Sequence, residues 1–138
     1  RITEDLDGIS LKMKDKRLKK FETVQKASLE PVLYGVKDYK NLIIGWGSTH
    51  NIILEAIYLM NRDDTAFLFF PQVYPLPFST ESYLKKAKKI IAIENNSTGQ
   101  FADLIKLTTG IAVNEKILKY NGLEFYVEEI IERLKEMV

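Results

Sequence analysis

The sequence contains no cysteine and a single histidine, His50. Without cysteine the chain forms no disulfide, and it offers no thiolate for catalysis, for zinc or for an iron–sulfur cluster. One histidine excludes a two-histidine metal site, and we identify no Ser and Asp partners that would complete a catalytic triad with it. We therefore expect an intracellular, cytoplasmic domain that has no cysteine-based or two-histidine metal site and no redox centre of its own.

Long apolar runs and an excess of one charge are also missing. No apolar segment approaches the ~20 residues of a membrane-spanning helix, and the first residues lack the apolar stretch of a signal peptide. Twenty Lys and Arg balance nineteen Asp and Glu, whereas a nucleic-acid-binding domain usually carries a marked basic excess. We expect neither nucleic acid nor a membrane as a partner. The 138 residues fit one domain, and the lack of an initiator Met suggests a piece of something longer.

Three apolar segments, at 42–44, 65–70 and 89–93, have the composition of buried strands, and a helical pattern follows each of them. Buried strands that alternate with helices form a parallel sheet covered on both faces. A short extended segment at 31–35 and an edge strand at 117–120 complete the set. The sequence therefore predicts a three-layer α/β/α fold with about five strands, mostly parallel, and one antiparallel edge strand.

Two polar loops that contain glycine follow the first and third of these strands. In a parallel sheet the carboxyl ends of the strands share one edge, where ligands and partners usually bind. The first loop reads Gly45-Trp46-Gly47-Ser48-Thr49. A dinucleotide-binding loop would need a third glycine where His50 stands, and a phosphate-binding P-loop would need a lysine. Two interpretations remain: a phosphate site, or a tight connection in which Ser48 or Thr49 caps the next helix.

The second loop reads Glu94-Asn95-Asn96-Ser97-Thr98-Gly99-Gln100. Ser97 and Gln100 have the spacing of a capping box, which predicts that they bind the open N–H groups at the start of the following helix. One carboxylate with two amides could serve catalysis, or it could hydrogen-bond the loop and a docked partner. We expect the ligand or interface candidates to be the first loop together with Glu94, Asn95, Asn96, Gly99 and Tyr74.

The remaining candidates are aromatic or basic. His50 lies in a first helical turn, where it could be an acid–base group or a surface or interface residue. Trp46, Tyr74 and Phe78 are expected near the same sheet edge, where they suit either a protein contact or the core. A basic helix is predicted from 11 to about 26, with six Lys or Arg between Lys12 and Lys20. It suits a phosphate-binding face, or a solvated helix that packs one apolar stripe on the domain or on a neighbour.

Several motifs in a fixed order resemble the C-terminal part of the α subunit of 2-oxoacid:ferredoxin oxidoreductases, with the 2-oxoglutarate type as the nearest match. The motifs are Tyr34-Gly35, Gly45-Trp46-Gly47-Ser48-Thr49, Pro71-Gln72-Val73-Tyr74-Pro75-Leu76-Pro77, Glu94-Asn95-Asn96 with Gly99-Gln100, and Lys119-Tyr120-Asn121-Gly122 with Glu128-Glu129-Ile130. The basic helix is similar to the family's linker to its thiamine-binding domain. The sequence departs from the family at Tyr126-Val127, where a Thr-Pro helix start is expected.

The resemblance implies two segments: residues 1–30 as an N-terminal arm and basic linker helix, and residues 31–138 as a domain like the transketolase C-terminal domain. It implies an enzyme that oxidatively decarboxylates a 2-oxoacid, such as 2-oxoglutarate, to an acyl-coenzyme A and reduces ferredoxin. Thiamine diphosphate and the iron–sulfur cluster are then held elsewhere, so this chain is expected to bind no cofactor and to be inactive alone. The implied partners are the remaining α-subunit domain, the β subunit and, through the complex, ferredoxin.

Two further hypotheses do not require the chain to be part of an enzyme. The chain could be a free-standing binder of a phosphate-bearing ligand, such as coenzyme A, at residues 45–49. It could also be an oligomerisation module, with a homodimer formed through the loop that contains Tyr74.

Overall fold

A computed structural model describes residues 4–138 of the chain. The helices are α1 (Leu11–Lys26), α2 (His50–Met60), α3 (Thr80–Lys86), α4 (Gln100–Thr109) and α5 (Val127–Met137), and the strands are β1 (Val32–Gly35), β2 (Asn41–Trp46), β3 (Thr65–Phe70), β4 (Lys89–Glu94) and β5 (Glu115–Leu118). A π-helical turn, Leu6–Ser10, precedes α1, and a 3₁₀ turn, Gly47–Thr49, precedes α2. Among residues 4–138, no helix combines the length and apolar character needed to cross a bilayer.

The five strands form one sheet in the order β1-β3-β2-β4-β5. The pairs β2–β3, β2–β4 and β4–β5 are parallel, and only β1 runs antiparallel, alongside β3 at one edge. The predicted fold class is confirmed. The last strand begins two residues earlier than predicted, because it pairs Glu115 with Ile91 and Ile117 with Ile93 and ends at Leu118.

Alternate residues along each central strand point to opposite faces of the sheet, and each face has its own apolar core. Leu42 and Ile44 of β2 pack in one core with Leu84 of α3 and with Phe101 of α4. Ile43 packs in the other, which α2 and α5 cover with side chains that include Ile53, Ala56, Ile130 and Leu134. The central strands are apolar on both faces because helices cover both.

Within the predicted N-terminal arm and linker, residues 6–26 are helical in the described structure. The Asp5 carboxylate accepts hydrogen bonds from the backbone N–H groups of Gly8 (2.7 Å) and Ile9 (3.2 Å), and the turn continues directly into α1. Residues 1–3 of this arm lie outside the described residues. A boundary between linker and domain at residue 30 stays a prediction.

Candidate functional site

The carboxyl ends of β2, β3, β4 and β5 lie along one edge of the sheet. The register pairs Trp46 with Phe70 and Glu94 with Leu118, so the loops that follow these residues leave the sheet on the same side. The two loops that contain glycine therefore share one edge, as the sequence predicts. We call this the carboxyl edge.

Glu94, the last residue of β4, is only 1% exposed. Its carboxylate accepts hydrogen bonds from the backbone N–H groups of Phe101 (2.9 Å, to Oε2) and Ala102 (3.0 Å, to Oε1) in the first turn of α4. Oε2 also accepts from the side-chain amide of Asn96 at 2.8 Å. A carboxylate is favourable here because it satisfies open N–H groups at the positive end of the helix dipole. Glu94 thus joins the end of β4 to the start of α4.

Asn96 closes the loop between this strand and helix. Its Oδ1 accepts from the backbone N–H groups of Thr98 (3.1 Å), Gly99 (2.6 Å) and Gln100 (3.3 Å). The predicted capping box of Ser97 and Gln100 is wrong, because the N-cap residue is Gly99 and the N–H groups behind it are bound by Asn96 and Glu94. These two side chains reach the helix from outside the local spacing that defines a capping box.

Gly99 and Asn95 complete the second loop. Gly99 is buried with φ +74°, and a Cβ atom there would lie 2.6 Å from the Cδ atom of Lys116. Lys116 donates from Nζ to the backbone O of Thr98 (3.1 Å) and to the Asp103 carboxylate (2.6 Å). Asn95 is exposed. The second loop therefore turns its carboxylate and one amide inward and leaves Asn95 facing solvent.

In the first loop, Gly45 and Gly47 are required for different reasons. A Cβ at Gly45 would lie 2.5 Å from the Ile53 Cδ1 atom, so this glycine allows α2 to pack closely on β2. Gly47 has φ +58°, and a Cβ there would meet nothing within 4 Å. Gly47 and Ser48 are exposed, whereas Thr49 is buried. The loop combines a packed start with an open, exposed tip.

The Thr49 hydroxyl donates to the backbone O of Trp46 at 2.8 Å. Thr49 is the N-cap residue of α2, one of the two positions predicted, but its side chain makes no capping hydrogen bond and acts instead as a donor across the 3₁₀ turn. Trp46 itself is half-buried, packs against the core of the α3–α4 face and has its ring centroid 6.3 Å from that of Phe101. The loop is thus a tight connection tied to the sheet by Thr49.

The His50 ring lies 4.1 Å from the Phe69 ring, centroid to centroid. Its Nε2 atom is 3.1 Å from the Tyr34 hydroxyl, within hydrogen-bonding distance. The histidine therefore packs among aromatic side chains of β1 and β3. This position agrees with a structural or interface role more closely than with acid–base chemistry.

Tyr74 and Phe78 lie in the loop between β3 and α3, and both are exposed. The Tyr74–Pro75 peptide bond is cis. The Tyr74 ring centroid lies 5.7 Å from that of Phe21 in α1, so this loop meets the basic helix. Of the three aromatic candidates, Trp46 therefore packs against the core, whereas Tyr74 and Phe78 lie at the surface.

The structure contains an ion pair at the end of β5, between Lys119 and Glu129, that the sequence analysis does not predict. Lys119, only 9% exposed, donates from Nζ to Glu129 Oε2 at 2.6 Å and lies 4.8 Å from the Tyr126 ring centroid. The hydrogen bond from Lys119 lowers the pKa of Glu129, helped by the Tyr126 backbone N–H and by the charges of Lys119 and Arg133, while desolvation opposes the shift. The motifs at 119–122 and 128–130 contain both residues, but the two are ten positions apart in the sequence, too far for a local spacing rule to predict their contact.

These contacts define the class of the molecule. It is a small α/β domain whose charged and amide side chains at the carboxyl edge mainly hold its own loops and helix ends. Within residues 4–138, no three His, Asp or Glu side chains cluster in a way that could hold a metal ion.

Comparisons with known proteins identify the family. No protein-family model matches the chain. It is 34% identical over 141 residues to subunit α of 2-oxoacid:ferredoxin oxidoreductase 1 from Sulfurisphaera tokodaii, a match to 99% of this chain and 22% of that protein. It is 36% identical over 133 residues to the α subunit of the Saccharolobus solfataricus enzyme, a match to 92% of this chain and 21% of that protein. The chain therefore spans about one-fifth of the length of these curated relatives.

Two solved structures agree with this assignment. One is 2-oxoglutarate:ferredoxin oxidoreductase from Magnetococcus marinus with 2-oxoglutarate, coenzyme A and succinyl-CoA bound. It superposes with a TM-score of 0.80 at 27% identity, over 90% of this chain and 22% of that one. The other is the α chain of a probable 2-oxoacid ferredoxin oxidoreductase from Thermoplasma acidophilum, with a TM-score of 0.54 at 34% identity, over 78% of this chain and 96% of that one. The chain belongs to the 2-oxoacid:ferredoxin oxidoreductase α-subunit family.

Proposed function

We propose that this chain is a non-catalytic, transketolase C-terminal-like domain of a 2-oxoacid:ferredoxin oxidoreductase α subunit. The whole enzyme would oxidatively decarboxylate 2-oxoglutarate with coenzyme A and pass the electrons to ferredoxin in the cytoplasm. Thiamine diphosphate and the iron–sulfur cluster would be held outside this chain. Its own task would be to pack against the remaining α-subunit domain and the β subunit.

The proposal of a non-catalytic role rests on one observation: the charged side chains at the carboxyl edge bind partners inside the domain. Glu94 binds two backbone N–H groups of α4 and the Asn96 amide. Lys119 is paired with Glu129, and His50 lies against Phe69 and beside the Tyr34 hydroxyl. A general acid or base must instead be able to reach a substrate proton. These side chains already have partners within the fold, and this observation supports a non-catalytic role for the domain.

The test compares the isolated chain with the assembled enzyme. Calorimetry should detect no binding of thiamine diphosphate to the isolated chain, and a viologen dye should not be reduced when 2-oxoglutarate and coenzyme A are added. The assembled enzyme should reduce the dye with 2-oxoglutarate faster than with pyruvate. Turnover by the isolated chain would refute the non-catalytic role, and a preference for pyruvate would refute the 2-oxoglutarate assignment alone.

A second candidate role concerns the exposed tip of the first loop. Gly47 and Ser48 face solvent at the N-terminal end of α2, and the space beside Gly47 is open. Backbone N–H groups at such a position suit a phosphate group, so this loop could contact coenzyme A as it approaches the enzyme. Calorimetry with coenzyme A and with ATP would test this. Micromolar binding that G47D abolishes would favour it, and equal binding by wild type and G47D would rule out this loop.

A further inference from the structure

Helix α1 has an apolar side and a basic side. At 100° per residue, Leu11, Leu18, Phe21 and Val24 lie on one side of the helix, with the basic Lys14 and Arg17 among them, whereas the other side is formed mainly by lysines: Lys12, Lys16, Lys19 and Lys20. Within the described part of the chain, none of the sixteen residues of α1 is buried, and Leu18 is 64% exposed. An amphipathic helix in a folded protein normally buries its apolar side. The apolar side of α1 is therefore left for another surface to cover.

The domain itself holds α1 beside the loop between β3 and α3. The Phe21 ring contacts the Tyr74 ring, and the Leu29 backbone N–H donates to Gln72 Oε1 at 3.3 Å. Beyond α1, the Ser79 hydroxyl donates to the Glu30 carboxylate. These contacts add an exposed aromatic ring of the loop to the apolar side of the helix. We call the resulting patch, formed by Leu11, Leu18, Phe21, Val24 and Tyr74, the α1 surface.

We propose that the α1 surface is the docking site for the remaining polypeptide of the α subunit, an inference that rests on the proposed function. About four-fifths of the length of the curated relatives lies outside the region that matches this chain, so a large partner of the same subunit is available to cover it. A contiguous exposed apolar patch with a polar rim marks a protein interface.

The charge of α1 defines the partner further. The helix contains seven Lys or Arg and only two Asp or Glu. In a two-fold symmetric dimer the same patch meets itself, which would bring two strongly basic helices together, and like charges placed together disfavour association. The occupant is therefore a different surface, apolar where it meets Leu18 and Phe21 and acidic where it meets the lysines.

Hydroxyl-radical footprinting of the assembled oxidoreductase tests this assignment, because Phe and Tyr rings report their own solvent exposure. We expect Phe21 and Tyr74 to react as slowly as the buried Phe101. Tyr58 of α2, which is 80% exposed and lies outside the α1 surface, is the matched control and should keep the reactivity of an exposed ring. In the isolated chain Phe21 and Tyr74 should react faster than in the assembly.

A pair of variants tests whether the α1 surface contributes to assembly. L18D places a charge in the proposed interface, and L107D places the same charge on α4 at a residue that is 83% exposed. We expect L18D to weaken binding of this chain to the separately produced remainder of the α subunit during size-exclusion chromatography, and L107D to leave that binding unchanged. Circular dichroism melting of both isolated chains checks that neither change unfolds the domain.

The experiments distinguish failure of the proposed function from failure of the proposed docking site. If the chain does not co-assemble with oxidoreductase subunits at all, the proposed function fails. If it assembles but Phe21 and Tyr74 stay as reactive as Tyr58, only the docking site is wrong. Protection of Phe21 and Tyr74 in a concentrated sample of the isolated chain, with a dimeric mass by light scattering, would assign the surface to a second copy. Protection that requires vesicles of anionic lipid would assign it to a membrane, and either result would overturn the proposal.

Discussion

Replacement of Glu94 should destabilise the fold strongly, although the residue lies at a strand end where catalytic carboxylates are often found. In E94A, the backbone N–H groups of Phe101 and Ala102 lose their acceptor in a buried position, and the Asn96 amide loses its partner. An unsatisfied buried donor costs about 1–3 kcal/mol. Part of this cost is offset because a buried charge is also removed. We expect E94A to lower the free energy of unfolding by about 2–4 kcal/mol.

The more informative variant is E94Q, which keeps the shape of the side chain. Its amide carbonyl can accept from one backbone N–H, but its NH₂ group must then face the other donor. We expect a loss of about 1–2 kcal/mol. With a urea m value of about 2 kcal/mol/M, E94A should lower the unfolding midpoint by about 1–2 M and E94Q by about half as much, with m unchanged.

The control for these variants is E115Q, which removes an exposed carboxylate from β5 and should change the free energy of unfolding by less than about 0.5 kcal/mol. Urea denaturation followed by circular dichroism measures all three variants. If E94Q and E115Q unfold at the wild-type midpoint, Glu94 is not the cap that joins β4 to α4. The carboxylate would then be available for a different role.

Three further changes test other parts of the carboxyl edge. G45A should cost about 1–3 kcal/mol, because its Cβ would lie 2.5 Å from Ile53 Cδ1 and overpack the contact between α2 and β2. G47A should cost only about 1 kcal/mol, because its strain comes from φ +58° and the surrounding space is open; a larger loss for G47A than for G45A in urea denaturation would contradict this explanation. E129Q tests the ion pair with Lys119. In the wild type, the hydrogen bond from Lys119 lowers the pKa of Glu129 in the folded state, so the carboxylate stabilises the fold fully above its ordinary pKa of 4.5. The difference in unfolding free energy between wild type and E129Q should therefore shrink as pH falls below about 5 and through the folded pKa, and a difference independent of pH would show that this ion pair is not responsible.

The central strands could be predicted because burial on both faces leaves a strong signal in the sequence. Residues 42–44, 65–70 and 89–93 are almost entirely apolar or β-branched, which is what a sheet covered by helices requires. The shift of β5 has a physical reason. At this edge Glu115 and Lys116 are exposed, so the apolar signal of the strand begins only at Ile117 and Leu118.

The roles of the polar residues could be predicted only in part, because capping rules describe local spacing. Ser97 and Gln100 matched such a rule, but the N–H groups of α4 are bound by Glu94 and Asn96, and Glu94 lies seven residues before Phe101. Lys119 and Glu129, which form an ion pair, are ten positions apart in the sequence. Contacts at such separations depend on where the sheet places the chain, and the residue pattern alone does not encode them.

The direction of the side chains gives the strongest argument about what this domain does. At the carboxyl edge, the buried carboxylate of Glu94 and the buried ammonium group of Lys119 bind partners inside the fold. On α1, by contrast, Leu18 and Val24 face solvent although their burial would stabilise the protein. A ligand pocket would instead use a few polar groups that converge on the ligand from a mostly apolar lining. Burial of these apolar side chains by a partner would therefore contribute favourable free energy of association, which agrees with the role proposed above, in which the domain packs against other parts of an enzyme.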